Sequence, residues 1–206
     1  MKVILVNGSP KEHGCTYTAL CETQKVLNEN GIETQIFYIG KENINGCLAC
    51  GGCAKTKKCV QSAKVGEFLQ LAASADGFVF ASPVHYAAAS GILTSFMDRA
   101  FFSGSDKLAF KPAAAVVSAR RAGTTAALEQ ITKYFTISNM PVVSSNYWPM
   151  VHGVCPQDVK KDEEGLQICR NLANNMAWLL KCIKLGKENG ICHAEPEPKI
   201  KTNFIR

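Results

Sequence analysis

Short apolar runs alternate with longer amphipathic stretches along most of the 206-residue chain. The apolar runs have the length of buried strands, and turn-forming residues bound most of them. They predict strands at residues 2–7, 34–39, 77–82 and 113–119, and a short fifth strand at 141–145. The amphipathic stretches have apolar residues at helical spacing, and they predict helices at 16–30, 65–74, 90–102, 125–138 and 163–185.

This alternation of strand and helix predicts an α/β fold. Each helix carries the chain back across the sheet, so that helices cover both faces of a doubly wound, five-stranded parallel sheet. Ligands of such sheets bind beyond the carboxyl ends of the strands, where the strand order switches. The loops expected at that edge are 8–16, 82–90 and 118–124, and their small residues let a ligand approach the backbone.

Composition indicates one globular domain. Hydrophobic residues make up 47% of the chain and charged residues 19%. We assign residues 1–186 to this domain, residues 46–60 to a cysteine-rich insertion within it, and residues 187–206 to a polar C-terminal tail. The net charge of +6 comes without a basic tract interleaved with aromatic residues, so we expect no nucleic-acid partner.

One window, residues 77–97, is almost entirely apolar or small over a length that would span a membrane. Pro83 and His85 interrupt it, which indicates a buried strand, a loop and a helix, and we expect no membrane partner. The first apolar run is too short for a signal peptide and leads directly into a glycine loop. We therefore expect a cytoplasmic protein, in which thiols stay reduced.

Ten cysteines are many for such a chain, and four of them fall in one short stretch. The spacing is C-x2-C-x2-C-x5-C, and the four residues are Cys47, Cys50, Cys53 and Cys59. Four thiolates this close hold an iron–sulfur cluster or a zinc ion, and free or disulfide-prone thiols are the third alternative. Tight turns at the neighbouring glycines, Gly46, Gly51 and Gly52, would let the chain wrap around a metal group.

The loop after the first strand has the features of a phosphate site. It reads GSPKEHGCT at residues 8–16 and leads into a helix, whose N-terminus presents unpaired N–H groups and partial positive charge. The loop lacks the second glycine of a dinucleotide fingerprint and the lysine–serine/threonine ending of an NTPase loop. A single terminal phosphate therefore fits it best. An N-capped helix after a tight turn is the structural alternative.

Seven motifs follow one another in a characteristic order. They are GSPKEHGCT (8–16), the cysteine quartet, ADGFVFASPVHY (75–86), FMDR (96–99), SARRAGTTAALEQITKYF (118–135), SSNYWPMVHG (144–153) and DEEGL (162–166). In this order and spacing the chain resembles the NADPH-dependent FMN reductase and iron–sulfur flavoprotein family. The resemblance covers most of residues 1–185, and it implies a flavodoxin-like sheet with strand order 2-1-3-4-5 and FMN as cofactor.

The resemblance implies an FMN site built from the three loops. The first loop would bind the FMN phosphate through Ser9, Lys11, Gly14, Cys15 and Thr16. The second would flank the isoalloxazine ring through Pro83, Val84, His85 and Tyr86, with histidine at the position of the family's usual tyrosine. The third would bring N–H groups and cations to the pyrimidine end, where they stabilise the anionic reduced flavin, through Ser118, Ala119, Arg120, Arg121 and Gly123.

The resemblance also implies features outside the three loops. The compact cysteine motif carries a 4Fe–4S cluster in iron–sulfur flavoproteins, although this chain has Ser62-Ala63 where relatives often carry an acidic pair. Asp98 and Arg99 are expected to form an ion pair or to anchor a helix end. Tyr147 and Trp148 are expected in the core or at a subunit interface. We also expect a homodimer or a homotetramer.

These features together favour an FMN-dependent oxidoreductase. It would pass electrons from NAD(P)H, as cosubstrate, or from a ferredoxin-like carrier to the flavin, and on through a 4Fe–4S cluster. No side chain would act as a covalent catalyst, because the cofactor performs the chemistry. Two alternatives come from other classes: a non-catalytic, flavodoxin-type electron carrier, and a zinc-stabilised binding module without flavin.

Overall fold

The computed structural model describes residues 1–200 and 202. Its strands are β1 (Lys2–Asn7), β2 (Glu33–Tyr38), β3 (Gly77–His85), β4 (Ala88–Ala89), β5 (Ala113–Ala119) and β6 (Met150–His152). Five of them form a parallel sheet in the order β2-β1-β3-β5-β6, and β4 pairs antiparallel with the end of β3. The predicted doubly wound α/β fold is confirmed, and the short β4 is the difference in detail.

In the part of the chain that the structure describes, seven helices accompany these strands. They are α1 (Cys15–Glu29), α2 (Gly52–Thr56), α3 (Ala63–Ser74), α4 (Gly91–Leu108), α5 (Thr124–Ile137), α6 (Pro156–Val159) and α7 (Glu163–Glu188). Helices α3, α4 and α5 cover one face of the sheet, and α1 and α7 cover the other. The short helices α2 and α6, like β4, have no counterpart in the predicted pattern.

Successive residues of the central strands enter opposite cores. In β1, Ile4 and Val6 pack in the core beneath α3, α4 and α5, whereas Val3 and Leu5 pack in the core beneath α1 and α7. A strand that is covered on both faces needs apolar residues at every position. This is why the central strands appear in the sequence as continuous apolar runs.

The predicted fifth strand at 141–145 is wrong. Of this run, Val142 forms an isolated parallel bridge with Ala113, and the edge strand of the sheet is β6 at Met150–His152. Val142 is 45% exposed, and the residues after Val143 are polar, so the chain leaves the sheet there. The true edge strand has only three residues, which makes its apolar signal weak.

Two helices extend well beyond their predicted C-terminal ends. Helix α4 continues to Leu108 through a non-helical residue, Gly104. A Cβ atom at Gly104 would lie 2.5 Å from Leu69 Cδ2, so glycine there permits the close packing of α3 on α4. Helix α7 continues to Glu188, and the predicted tail at 187–206 therefore begins within it. Residues 201 and 203–206 of that tail lie outside the described residues.

The apolar window at 77–97 forms β3, β4 and the first turns of α4. Pro83 and His85 lie in β3, beyond its fully buried part. Within residues 1–200 and 202, every helix is either too short or too polar to cross a membrane. The window is therefore a core strand, a hairpin and a core helix, as the sequence predicts.

Candidate functional site

The three loops at the carboxyl edge of the sheet meet in one open cleft of about 190 Å³. The register of the sheet causes this meeting, because Asn7 of β1 pairs with Ala81 of β3, and Pro83 pairs with Ser118 of β5. Most of the predicted cofactor residues line the cleft: Ser9, Lys11, Gly14, Cys15, Thr16, Pro83, Val84, His85, Ser118, Ala119 and Arg120.

Three predicted residues lie outside the lining of this cleft, namely Tyr86, Arg121 and Gly123. Tyr86 and Ala87 form the two-residue turn between β3 and β4, both with positive φ (50° and 59°), and the Tyr86 side chain is fully exposed. Gly123 has φ of 88°, and a Cβ atom there would lie 2.7 Å from Ala87 Cα. Gly123 therefore lets the third loop pack against this hairpin.

Besides Pro10 of the first loop, two residues of the cleft were not predicted, Gly153 and Val154. They follow β6, whose carboxyl end lies at the same edge of the sheet as those of β1, β3 and β5. The Cys15 thiol contacts the Gly153 carbonyl oxygen at 3.7 Å, which connects the first loop to this fourth one. A prediction that placed the edge strand at Met150–His152 would also have placed the loop after it at the cleft.

The first loop is fixed by hydrogen bonds of its own. The Ser9 N–H donates to Asn7 Oδ1 at 3.1 Å, and the Lys11 N–H donates to Ser9 Oγ at 3.0 Å. The Tyr38 hydroxyl donates to the Pro10 carbonyl oxygen at 3.1 Å. A Cβ atom at Gly8 would lie 2.7 Å from Leu93 Cβ. The loop can therefore begin this close to α4 only because Gly8 has no side chain.

The N-terminus of α1, which opens into the cleft, has no side-chain cap. Its N-cap is Gly14, and its first turn contains no acidic residue. By contrast, helices α3, α4 and α7 are capped by the side chains of Ser62, Ser90 and Asp162. The first N–H groups of α1 therefore lack a side-chain acceptor, and a phosphate oxygen would supply one and interact favourably with the helix dipole.

The floor of the cleft is polar, buried and internally bonded. Thr16 Oγ1 and Ser118 Oγ are 2.8 Å apart and connect the first loop to the third. The Ser90 hydroxyl donates to the Gly8 carbonyl oxygen at 2.6 Å, and the Ser90 N–H donates to Ser82 Oγ at 2.8 Å. These bonds hold the first and second loops together, so that the cleft has its shape without a ligand.

The charges around the cleft favour an anion. Lys11 and Arg120 are exposed and line it. Burial, followed by the proximity of Cys155, raises the pKa of the Cys15 thiol, which therefore remains neutral near pH 7. Asp158 accepts hydrogen bonds from the N–H groups of Val154 and Cys155 at 2.9 and 3.2 Å, and these bonds lower its pKa.

The four clustered cysteines line a second, much smaller cavity of about 20 Å³. Its other wall is α4, through Arg99, Phe102 and Ser103. The cysteine segment, residues 45–59, winds around this cavity through three left-handed residues, which are Ala49, Gly51 and Lys57. Of the predicted tight turns, Gly51 has φ of 69° and Gly52 approaches Val60, whereas Gly46 has open space around it.

The donor set at this cavity fits an iron–sulfur cluster. All four candidate ligands are free thiols on one segment. Among the described residues, no three or more His, Cys, Asp or Glu side chains are gathered closely enough to hold a single metal ion. The four thiols themselves are ligands that an iron–sulfur cluster and a zinc ion both use.

Residues 1–154 match the family of NADPH-dependent FMN reductases. The chain belongs to this family. It is also 34% identical over 196 residues to an iron–sulfur flavoprotein of Methanocaldococcus jannaschii, an alignment that covers 89% of this chain and all of the relative. The predicted family is thereby confirmed.

Two solved structures show how far the FMN reductase fold of this chain is shared. An archaeal flavodoxin superimposes with a TM-score of 0.60 at 17% identity, covering 88% of this chain and 99% of the flavodoxin. The apo form of an NADH:FMN oxidoreductase superimposes with a TM-score of 0.63 at 17% identity, covering 86% of this chain and 89% of the other. Identities this low show the fold alone. Family and fold together support a flavin-dependent oxidoreductase.

Two further expectations for this FMN reductase family member need correction. Asp98 and Arg99 do not pair with each other: Asp98 accepts a hydrogen bond from the Tyr134 hydroxyl, and Arg99 binds the cysteine segment. The ion pair does not form, and Arg99, in the middle of α4, binds the cysteine segment instead of anchoring a helix end. Tyr147 and Trp148 are 53% and 57% exposed, so neither lies in the core of the chain.

Proposed function

We propose that this protein is an FMN-dependent oxidoreductase that takes electrons from NAD(P)H or a ferredoxin-like carrier and passes them through a 4Fe–4S cluster. The observation that carries the proposal is the uncapped N-terminus of α1, which opens into a cleft formed by three loops in the predicted order. The all-cysteine cavity on α4 supports the second cofactor.

The residues of the cleft would bind and orient FMN. The first N–H groups of α1, together with Lys11 and the hydroxyls of Ser9 and Thr16, would hold the phosphate. Pro83, Val84 and His85 would lie along the ring, and Arg120 with the adjacent backbone would stabilise negative charge on it. Bound FMN would supply the exchange between a two-electron donor and single-electron steps.

The cysteine segment would hold the second cofactor through the thiolates of Cys47, Cys50, Cys53 and Cys59, and the cluster would supply one-electron transfer. Two of these thiols, Cys47 and Cys50, are exposed, so this end of the protein is accessible to a partner. Lys55, Lys57 and Lys58 are exposed between the third and fourth cysteines, and the segment from Cys47 to Cys59 contains no acidic residue. This charge supports an acidic electron-carrier protein as one donor or acceptor.

We further propose a homodimer or homotetramer in the cytoplasm. The cleft, at about 190 Å³, is smaller than the 300 to 1,000 Å³ typical of ligand pockets, so a second subunit would complete the cover of FMN. Tyr147 and Trp148 are exposed beside a groove of about 670 Å³ between α5 and residues 142–149, which supports an interface there. The ten free thiols of the chain suit a reducing compartment.

Anaerobic purification followed by a spectrum and metal analysis tests both cofactors. We expect about one FMN per chain with quenched fluorescence, and about four irons per chain after reconstitution. Cys53→Ser should abolish the iron and leave FMN binding intact, whereas Cys182→Ser, an exposed cysteine on α7, should change neither. Failure to bind FMN at micromolar concentration would contradict the proposed function.

Turnover identifies the donor and separates the alternatives. We expect oxidation of NADPH or NADH with added FMN or a quinone as acceptor. No turnover with either nucleotide, together with reduction by a reduced ferredoxin, would assign the donor to the carrier class. A protein with FMN but neither iron nor turnover would be a flavodoxin-type carrier. Zinc without a flavin spectrum would identify a zinc-stabilised binding module.

A further inference from the structure

Arg99 of α4 is a buried cation whose hydrogen bonds all go to the cysteine segment. It is 4% exposed. Its Nε donates to the Asn45 carbonyl oxygen, its Nη2 donates to the Gly46 carbonyl oxygen at 2.9 Å, and its Nη1 contacts Cys59 Sγ at 3.6 Å. One guanidinium therefore reaches both ends of the segment that contains the four cysteines.

Among the described residues, no carboxylate pairs with this buried charge. The ion pairs within residues 1–200 and 202 do not include Arg99, and the adjacent Asp98 is bonded to Tyr134. A buried cation without a partner is strongly unfavourable, because the protein interior solvates charge poorly. Backbone carbonyls compensate only in part, since they carry no net charge. The geometry thus leaves a place for an anionic group beside Cys59.

We propose that Arg99 is the counter-ion and positioning residue of the 4Fe–4S cluster at its Cys59 corner. This inference rests on the proposed cluster. A cluster with four thiolates is anionic, and reduction adds one further negative charge, with the electron coming from the flavin and no bond made or broken. A buried cation beside one ligand sulfur stabilises the reduced form more than the oxidised form, and therefore raises the reduction potential.

The same contacts would position the cluster ligands. Fixing Asn45, Gly46 and Cys59 against α4 closes the cysteine segment at both ends before any metal binds. A segment closed in this way loses less conformational entropy when its thiolates gather around a cluster. The arginine fork suits this task, because its donors point in fixed directions toward separate acceptors, whereas lysine offers one point charge.

The test compares Arg99→Met, Arg99→Lys and a control, Arg170→Met, in the FMN-bound, iron-reconstituted protein. Arg170 lies on α7, where it forms an ion pair with Glu22, away from the cysteine segment. FMN content, iron per chain and cluster reduction potential are measured under anaerobic conditions.

In Arg99→Met we expect the equilibrium constant for cluster reduction to fall at least tenfold, which corresponds to 59 mV for one electron, with FMN content unchanged. Arg99→Lys, which retains the charge, should change this equilibrium constant less than threefold. Arg170→Met should leave it unchanged.

The outcomes separate this inference from the proposed function. Full iron content with an unchanged potential in Arg99→Met would overturn the counter-ion role, and so would a tenfold shift in Arg99→Lys. Loss of iron from Arg99→Met, with FMN retained and with Arg99→Lys loaded at a near-normal potential, would support it. If Arg99→Met fails to fold, the Arg99→Lys potential decides. Wild-type protein that binds FMN but takes up no iron would refute the cluster and this inference with it.

Discussion

The flavin cleft and the cysteine segment are two sites built in different ways. The cleft is formed by the ends of buried parallel strands, and hydrogen bonds between its loops fix its floor. The cysteine segment is largely exposed and contains only the short helix α2, and among the described residues its hydrogen bonds to the rest of the protein all come from Arg99. The first site has its shape before a ligand binds, whereas in the second the proposed cluster would be the group that makes the segment rigid.

The difference predicts where each cofactor contributes to stability. A ligand that binds only the folded state stabilises it by mass action. In the cleft, the stabilisation by bound FMN would be added to a part of the protein that already unfolds cooperatively with the core. In the cysteine segment the metal group would supply most of the local order, as structural metals do in small domains. Four predictions test this contrast, from the largest expected effect to the smallest.

Hydrogen exchange in the cofactor-free protein should show the largest difference. Among the described residues, no backbone N–H from 45 to 51 donates a hydrogen bond, so these amides should exchange at nearly unfolded rates. The Gly8 N–H donates to the Ala81 carbonyl oxygen at 2.9 Å, and its protection should approach the global free energy of unfolding, about 5 kcal/mol or more. Reconstitution with iron should slow amide exchange in residues 45–51 at least tenfold. Equal protection of both regions without cofactors would contradict the contrast.

Adding one methyl group should damage the cleft and spare the cysteine segment. In Gly8→Ala the new Cβ atom would meet Leu93 Cβ at 2.7 Å, and we expect the free energy of unfolding to fall by about 1–3 kcal/mol with weakened FMN binding. In the matched variant, Gly46→Ala, nothing lies within 4 Å, and the change should stay within about 0.5 kcal/mol. Urea denaturation measures both. If Gly8→Ala left the free energy of unfolding unchanged, the first loop would be free to move against α4.

Removing the Ser118 hydroxyl should weaken the cleft by a smaller amount. Ser118→Ala leaves the buried Thr16 hydroxyl without its partner, so we expect a loss of about 1 kcal/mol in unfolding free energy. The control is Ser74→Ala, whose hydroxyl bonds only an exposed carbonyl at the end of α3, and which should be neutral. Thermal unfolding of the apo proteins compares the two. Equal effects would indicate that the bond between the first and third loops does not stabilise the cleft.

The smallest effect concerns pH and the loop after β6. Hydrogen bonds from the N–H groups of Val154 and Cys155 hold the pKa of Asp158 below its ordinary value of 3.8. A lowered pKa in the folded state contributes stability above pH 3.8, and that contribution is lost as pH falls from there through the lowered pKa. Asp158→Asn should flatten this part of the stability curve, and Asp106→Asn, at an exposed site, should not. Urea midpoints between pH 7 and pH 2.5 would detect the difference, and parallel curves for both variants would contradict it.

The sequence predicted the parts of the structure that depend on buried strands. Central strands such as β1 and β5 are covered on both faces, so their apolar runs are continuous and the loops after them are easily located. The edge strand β6 has three residues, so it was missed, and Gly153 and Val154 were missed with it. Side-chain partners were harder to predict than strands. Asp98 adjoins Arg99 in sequence, but successive helical residues do not face each other, and the true partners of Arg99 come from residues 45–59.

Helix α4 contacts both sites, and this constrains which changes of chain length the protein tolerates. Leu93 packs against Gly8 at the cleft, and Arg99 bonds the cysteine segment six residues later, about 9 Å farther along the helix axis. A residue inserted between them would turn Arg99 by about 100° around that axis and detach it from Gly46 and Cys59. The exposed residues 41–43, just before the cysteine segment, can change in length without such a rotation and without altering the cysteine spacing. Natural variation in length should therefore accumulate there and be absent from this part of α4.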